Sequence, residues 1–269
     1  MSSLLYSYRS LQQRQMTQEE ILEAIRELAE KFSEFSIDDL EKIFCNLHNQ
    51  LQKMDINSFF GDEFVCMIGK MIEYFLNKDI SREITLFLFL IFTKISTENC
   101  DMLLENVPDI ISFIIHFMKW KKEGAMYIRK YLLIAMRISI LCLSLIPTFL
   151  EHMNIKQIKS IVGREDNDKE TMFTIYYWIY HISSDTSGIE FILKEPEYFT
   201  KILCELVKNT TLQIFFQKAV MALENLLLLK NLAIKEMAQS ELNGCVPNMT
   251  KVYFPHDLRE RWDRVQKMF

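Results

Sequence analysis

The sequence predicts an all-α fold of the repeat kind, an armadillo/HEAT-like helical superhelix (α-solenoid). Three observations point there. Only six Gly and five Pro occur in 269 residues, too few for the many tight turns of a sandwich or barrel. Apolar residues recur every three or four positions, the period of a helix face. Finally, the long apolar segments start near residues 84, 127, 171 and 214. That interval of about 43 residues is the period of armadillo and HEAT units, which bury their faces only by stacking.

Composition supports a globular chain, 49% hydrophobic and 25% charged, and length alone does not choose between one elongated domain and two compact ones. Most glycines (Gly61, Gly124, Gly163, Gly188, Gly244) and all five prolines (Pro108, Pro147, Pro196, Pro247, Pro255) fall at breaks between apolar segments. Residues 1–16 read as a flexible N-terminal arm and 17–269 as a single armadillo-like repeat domain. Thr17 with Glu20 makes a capping box for the first helix, whose stripe is Ile21, Ile25 and Leu28. Leu40, Ile43, Phe44, Leu47 and Leu51 repeat the pattern, and the two amphipathic segments suit a capped end. Residues 61–76 are more uniformly apolar, with Gly69 placed to let another helix approach.

Segments 81–96, 100–106 and 109–120 follow, the first two separated by a break at 96–99, then 126–143, and then short helices around 146–153 and 155–162. The run 132–150 approaches a membrane-spanning length. Arg137 in its middle and Pro147 near its end favour two buried helices instead, so no membrane contact is expected. Residues 168–182 form a long helix. Met172, Ile175, Tyr176, Ile179 and Ile182 are read as its core face, and Thr174, Tyr177, Trp178 and His181 as its other face. Ser183–Thr186 ends that helix and caps the next, Gly188 easing the turn. Segments 198–209, 212–228 and 231–242 complete the array, followed by a polar end.

The net charge of −5 gives no global electrostatic reason to bind nucleic acid, so nucleic acid is not an expected partner. The six cysteines, Cys45, Cys66, Cys100, Cys142, Cys204 and Cys245, form no close pairs. They read as free, buried thiols in a reducing compartment. No Gly-rich phosphate loop, paired-histidine motif or nucleophile elbow is present. The five histidines are dispersed, and Asp166 and Asp168 lie in a charged, solvated loop. No cofactor, metal site or catalytic residue is expected.

Four short motifs, in order and nearly without gaps, resemble the Rcd-type cell-differentiation family, the armadillo-repeat subunit of the CCR–NOT deadenylase complex. They are Ser81-Arg82 leading to Val107-Pro108, Tyr127-Ile128-Arg129, Asp185 through Ile192 (DTSGIEFI), and Arg261-Trp262. The resemblance covers roughly residues 80–269, and 17–79 more weakly. It implies a non-catalytic adaptor in mRNA turnover, binding the Not scaffold and short peptides of RNA-associated regulators, in the cytoplasm and also the nucleus. Dimerisation through the array is a family trait. A different armadillo adaptor, a transport receptor or chaperone exchange factor, is the alternative.

On the long helices, Arg129, Tyr177, Trp178, His181, Gln217 and Asn225 are the candidate partner-binding positions, aromatic and Arg side chains being the usual anchors. Each has a structural alternative. Tyr177 and Trp178 can be core, Arg129 can cap or pair, and Gln217 and Asn225 can bond carbonyls of a neighbouring repeat.

Overall fold

The structure, a computed structural model, describes residues 15–269 except 77, 79, 120–123, 165–166 and 249–254, with the side chains of 124–126 also outside it. Among the described residues all regular structure is helical. Fifteen α-helices follow in order: α1 (Gln18–Lys31), α2 (Ile37–Leu51), α3 (Asp62–Phe75), α4 (Arg82–Lys94), α5 (Thr97–Asn106), α6 (Ile110–Met118), α7 (Gly124–Leu141), α8 (Ile146–Leu150), α9 (Ile155–Val162), α10 (Lys169–Ile182), α11 (Thr186–Ile192), α12 (Pro196–Asn209), α13 (Gln213–Leu228), α14 (Leu232–Leu242) and α15 (His256–Lys267).

The starts are set by side chains that accept hydrogen bonds from the exposed first-turn amides. Thr17 makes the expected capping box with Glu20. Ser36, Ser81, Ser96, Asp168, Asp185 and Asn231 cap α2, α4, α5, α10, α11 and α14 in the same way. Asp168 thus has a structural task, while Asp166 lies outside the described residues. The apolar run 132–150 is divided as expected: α7 ends at Leu141, a short 3₁₀ turn spans Leu143–Leu145, and α8 follows. No helix among the described residues is long and apolar enough to cross a membrane.

Packing groups the chain into two compact units, Met1–Cys142 and Leu143–Phe269. In the first, α1 packs on α3, α2 on α4, and α4 and α6 on α7. Phe44 of α2 meets Phe87 of α4 at 4.8 Å, and Phe117 of α6 stacks on Tyr131 of α7 at 5.1 Å. Residues Tyr131 to Met136 of α7 are all buried, which explains why this helix is apolar all round.

Polar ties fix these helices in register. Lys94, at the end of α4, donates to the Gln52 carbonyl beyond α2 at 2.5 Å. Asn57 accepts from the Ser96 amide (2.8 Å) and from Asn99 (3.0 Å) while donating to the Lys94 carbonyl (3.1 Å). Met16, read as the last residue of a loose arm, is buried, and its amide donates to Gln50 at 3.0 Å. The rest of that arm, through residue 14, lies outside the described residues.

In the second unit α10 packs on α13, α12 on α13 and α14, α13 on α15, and α11 on α8 and α10. Its core holds Trp178, Phe191, Phe199, Phe216 and Trp262. Glu224 of α13 accepts from Arg261 (2.7 Å) and Arg264 (2.8 Å) of α15, beside the Phe216–Trp262 ring contact.

Two expectations about glycine are corrected. A Cβ on Gly69 would meet only Val107 at 3.7 Å, an ordinary contact, so no close approach depends on that glycine. A Cβ on Gly188 would lie 2.2 Å from the Ile182 carbonyl oxygen. Gly188 therefore lets the start of α11 press against the end of α10; the demand is space and not an unusual turn.

The cysteine reading is corrected as well. Only Cys100 and Cys204 are buried, and burial pushes both thiols up to about 12. Cys45 and Cys66 are exposed, because they lie on the outer faces of α2 and α3.

Candidate functional site

Helix α10 has two faces, but they are not divided as the sequence reading divided them. Thr171, Thr174, Ile175, Trp178, Ile179 and Ile182 are buried, spaced by three and four as one face of a helix must be. Trp178 is fully buried and meets Phe191 edge-on at 6.3 Å. Its indole N–H has no hydrogen-bond partner among the described residues. It belongs to the core and cannot anchor a partner. Met172 and Tyr176, placed on the core face by sequence, are half-buried. The stripe starting at Thr171 outcompetes the one starting at Met172 because it buries the largest ring, which removes the most apolar area from water.

The remaining aromatic side chains of α10 form a half-exposed surface. Phe173 stacks on Tyr177 at 4.9 Å, and Tyr177 contacts Tyr180 at 6.1 Å and His181 at 5.1 Å. Helix α13 completes it. Phe215 lies 6.0 Å from both Phe173 and Tyr176. The Lys218 ammonium sits over Tyr180 at 4.2 Å and over Tyr177 at 4.6 Å. Burial first, and the Lys218 charge second, hold His181 below its usual value. Burial pushes Tyr176 up to about 12.

The two helices are pinned at one end. Asn225 of α13 donates to the hydroxyls of Ser183 (3.2 Å) and Ser184 (2.8 Å), just beyond α10. Its bonds go to side chains, where the sequence reading offered backbone carbonyls. Asp185 then accepts from the Gly188 amide at 2.9 Å and starts α11.

Five of the six candidate residues thus fall on this helix pair, with different standing. Tyr177 and His181 line the surface, Asn225 positions the helices, and Trp178 is core. Gln217 is half-buried beside Lys218. Arg129 lies in the other unit, half-buried on α7.

Sequence reasoning missed Phe173, Tyr180, Phe215 and Lys218. The first two share the Tyr177 face at helical spacing and were legible once Trp178 was given to the core. Phe215 and Lys218 meet α10 only through the packing of α13, which local pattern does not encode.

A related arrangement occurs in the first unit. Lys130 of α7 sits over Phe89 of α4 at 3.6 Å, and His48 of α2 is lowered by burial, with a smaller Lys130 contribution in the same direction. A cleft of about 500 Å³ also opens there beside Phe32, Lys70, Tyr74 and Lys78. Its cations are engaged: Lys70 donates to the Ala29 carbonyl, and Lys78 lies over the Tyr74 ring. No cluster of His, Cys, Asp or Glu suited to a metal occurs among the described residues.

Half-exposed rings, one lysine and a pinned helix pair are thus brought together on α10 and α13. Comparison with protein-family models, curated proteins and solved structures finds no match to this chain.

Proposed function

We propose that this chain is a non-catalytic adaptor of the kind its motifs resemble, the armadillo-repeat subunit of the CCR–NOT deadenylase complex. In this reading it binds the Not scaffold and holds short peptides of RNA-regulatory proteins in mRNA turnover and translational repression, in the cytoplasm and the nucleus. The observation that carries the binding role is the half-exposed aromatic surface of α10 and α13. Rings held at the surface by their neighbours bury apolar area on a partner at little cost in side-chain entropy.

The repeat plan supports the same reading. Helices α2, α4, α7, α10, α13 and α15 start at residues 37, 82, 124, 169, 213 and 256, so successive starts are 42 to 45 residues apart, in the range of armadillo and HEAT units. Within the first unit α2, α4 and α7 pack in succession, and within the second α10, α13 and α15 do. In this reading 17–269 is one repeat domain. The resemblance places Tyr127-Ile128-Arg129 on α7 and Arg261-Trp262 on the closing helix α15.

Co-purification of the tagged full chain, read by mass spectrometry, tests the assignment. Recovery of the Not scaffold with deadenylase subunits is expected. Recovery of a chaperone or nuclear cargo in their place favours the alternative adaptor classes.

A further inference from the structure

The aromatic surface on α10 and α13 carries a specific electrostatic signature. Lys218 is half-buried, lies over two rings and forms no ion pair among the described residues. The other charged side chain named on α13, Glu224, is taken up by Arg261 and Arg264. His181, beside the rings, is held toward its neutral form and adds little positive charge of its own.

We propose that this surface selects an acidic peptide segment, with an Asp or Glu carboxylate received by Lys218 and a neighbouring apolar side chain laid on Tyr177 and Phe173. The proposal rests on the docking reading above and names the chemistry of the docked segment.

Three features argue for that occupant. First, an ammonium held against rings has lost part of its hydration, so a carboxylate beside it gains more than it would at an open lysine. Second, Lys218 already lies over the Tyr177 and Tyr180 rings. An incoming Lys or Arg finds those cation sites taken and meets a like charge, which works against basic peptides. Third, the hydroxyls of Tyr177 and Tyr180 make no hydrogen bond among the described residues. Both stand ready to donate to a peptide carbonyl or a carboxylate oxygen. The Asn225 bonds to Ser183 and Ser184 hold the two helices in register before any partner arrives, which lowers the ordering cost of binding.

A polyanion such as single-stranded RNA also suits rings and a lysine. It needs a run of cations along its backbone, however, and this surface offers one in a chain of net charge −5.

The full chain is panned against a random dodecapeptide phage library at physiological salt. Selected peptides are then labelled with fluorescein and titrated by anisotropy against wild type, Lys218→Met, Lys218→Arg and Tyr177→Ala. Circular dichroism checks the fold of each variant.

The proposal expects selected peptides to carry Asp or Glu next to an apolar residue. It expects Lys218→Met to weaken them about tenfold and Lys218→Arg to restore most of the loss. Selected peptides that lose affinity with Tyr177→Ala but lack acidic residues, or ignore Lys218→Met, overturn the acidic preference and leave the docking surface standing. Peptides indifferent to both Tyr177→Ala and Lys218→Met, or no selected peptides, overturn both. A labelled oligouridine that binds more tightly than every selected peptide also overturns the proposal.

Discussion

Tyr177 and Trp178 are neighbours in sequence and opposites in role, because consecutive helix residues point about 100° apart. Trp178 is fully buried against Phe191, whereas Tyr177 is half-exposed. Truncating each therefore gives different results. Trp178→Ala should cost roughly 3–5 kcal/mol in urea unfolding, the range for removing a large buried ring. Tyr177→Ala should leave the unfolding midpoint nearly unchanged and weaken partner binding. Equal stability loss in the two variants contradicts the assignment of faces.

Gly188 makes the second claim at this scale. A methyl there meets the backbone of Ile182, which cannot turn aside as a side chain can. Gly188→Ala should destabilise the second unit by about 3 kcal/mol, at the upper end for overpacking. Gly69→Ala, with its one contact at 3.7 Å, should be neutral or slightly stabilising, since alanine is the better helix former.

At the scale of elements, the caps and breaks were the most legible part of the chain. Thr17 with Glu20 and Asp185 with Gly188 act over three residues, and sequence displays such short-range chemistry directly. The helix order was legible for the same reason. Face assignment on α10 was not, because two apolar stripes overlap on one helix and only tertiary packing chooses between them. Nor was the Lys218 contact with α10, since it closes across about forty residues.

Helix α15 shows the same limit. Sequence shows a polar end carrying Arg261-Trp262, but the Glu224 clamp becomes visible only once α13 lies beside α15. Glu224→Ala removes the acceptor of both Arg261 and Arg264. Amide exchange across α15 should then accelerate, while exchange in α1 to α6 stays as in wild type. Unchanged protection of α15 means that the Phe216–Trp262 contact and apolar packing suffice without the clamp.

For the whole molecule, the two lowered histidines set a pH response. His48 and His181 are each held below 6.5, chiefly by burial. Below about that pH the unfolded chain takes up protons that the folded chain resists, so stability falls with pH. It is fully present above 6.5 and is lost as pH drops through the folded values. Glu241, lowered chiefly by its Lys208 bond, titrates below 4.5 and leaves this window clear. Urea midpoints taken from about pH 7.5 to 5.5 should decrease, and His48→Gln with His181→Gln should flatten the slope. A slope unaffected by the double substitution assigns the response to other groups.

The acidic balance of the chain, −5 overall, contrasts with the lysine-bearing aromatic surface on α10 and α13. On the proposed reading, that local difference is what a partner recognises. Hydrogen–deuterium exchange of the full chain, alone and with the peptide-bearing partner recovered by co-purification, tests that surface directly. The account predicts added protection in 169–182 and 213–228. Protection confined to other segments, with α10 and α13 exchanging as in the free chain, would contradict it.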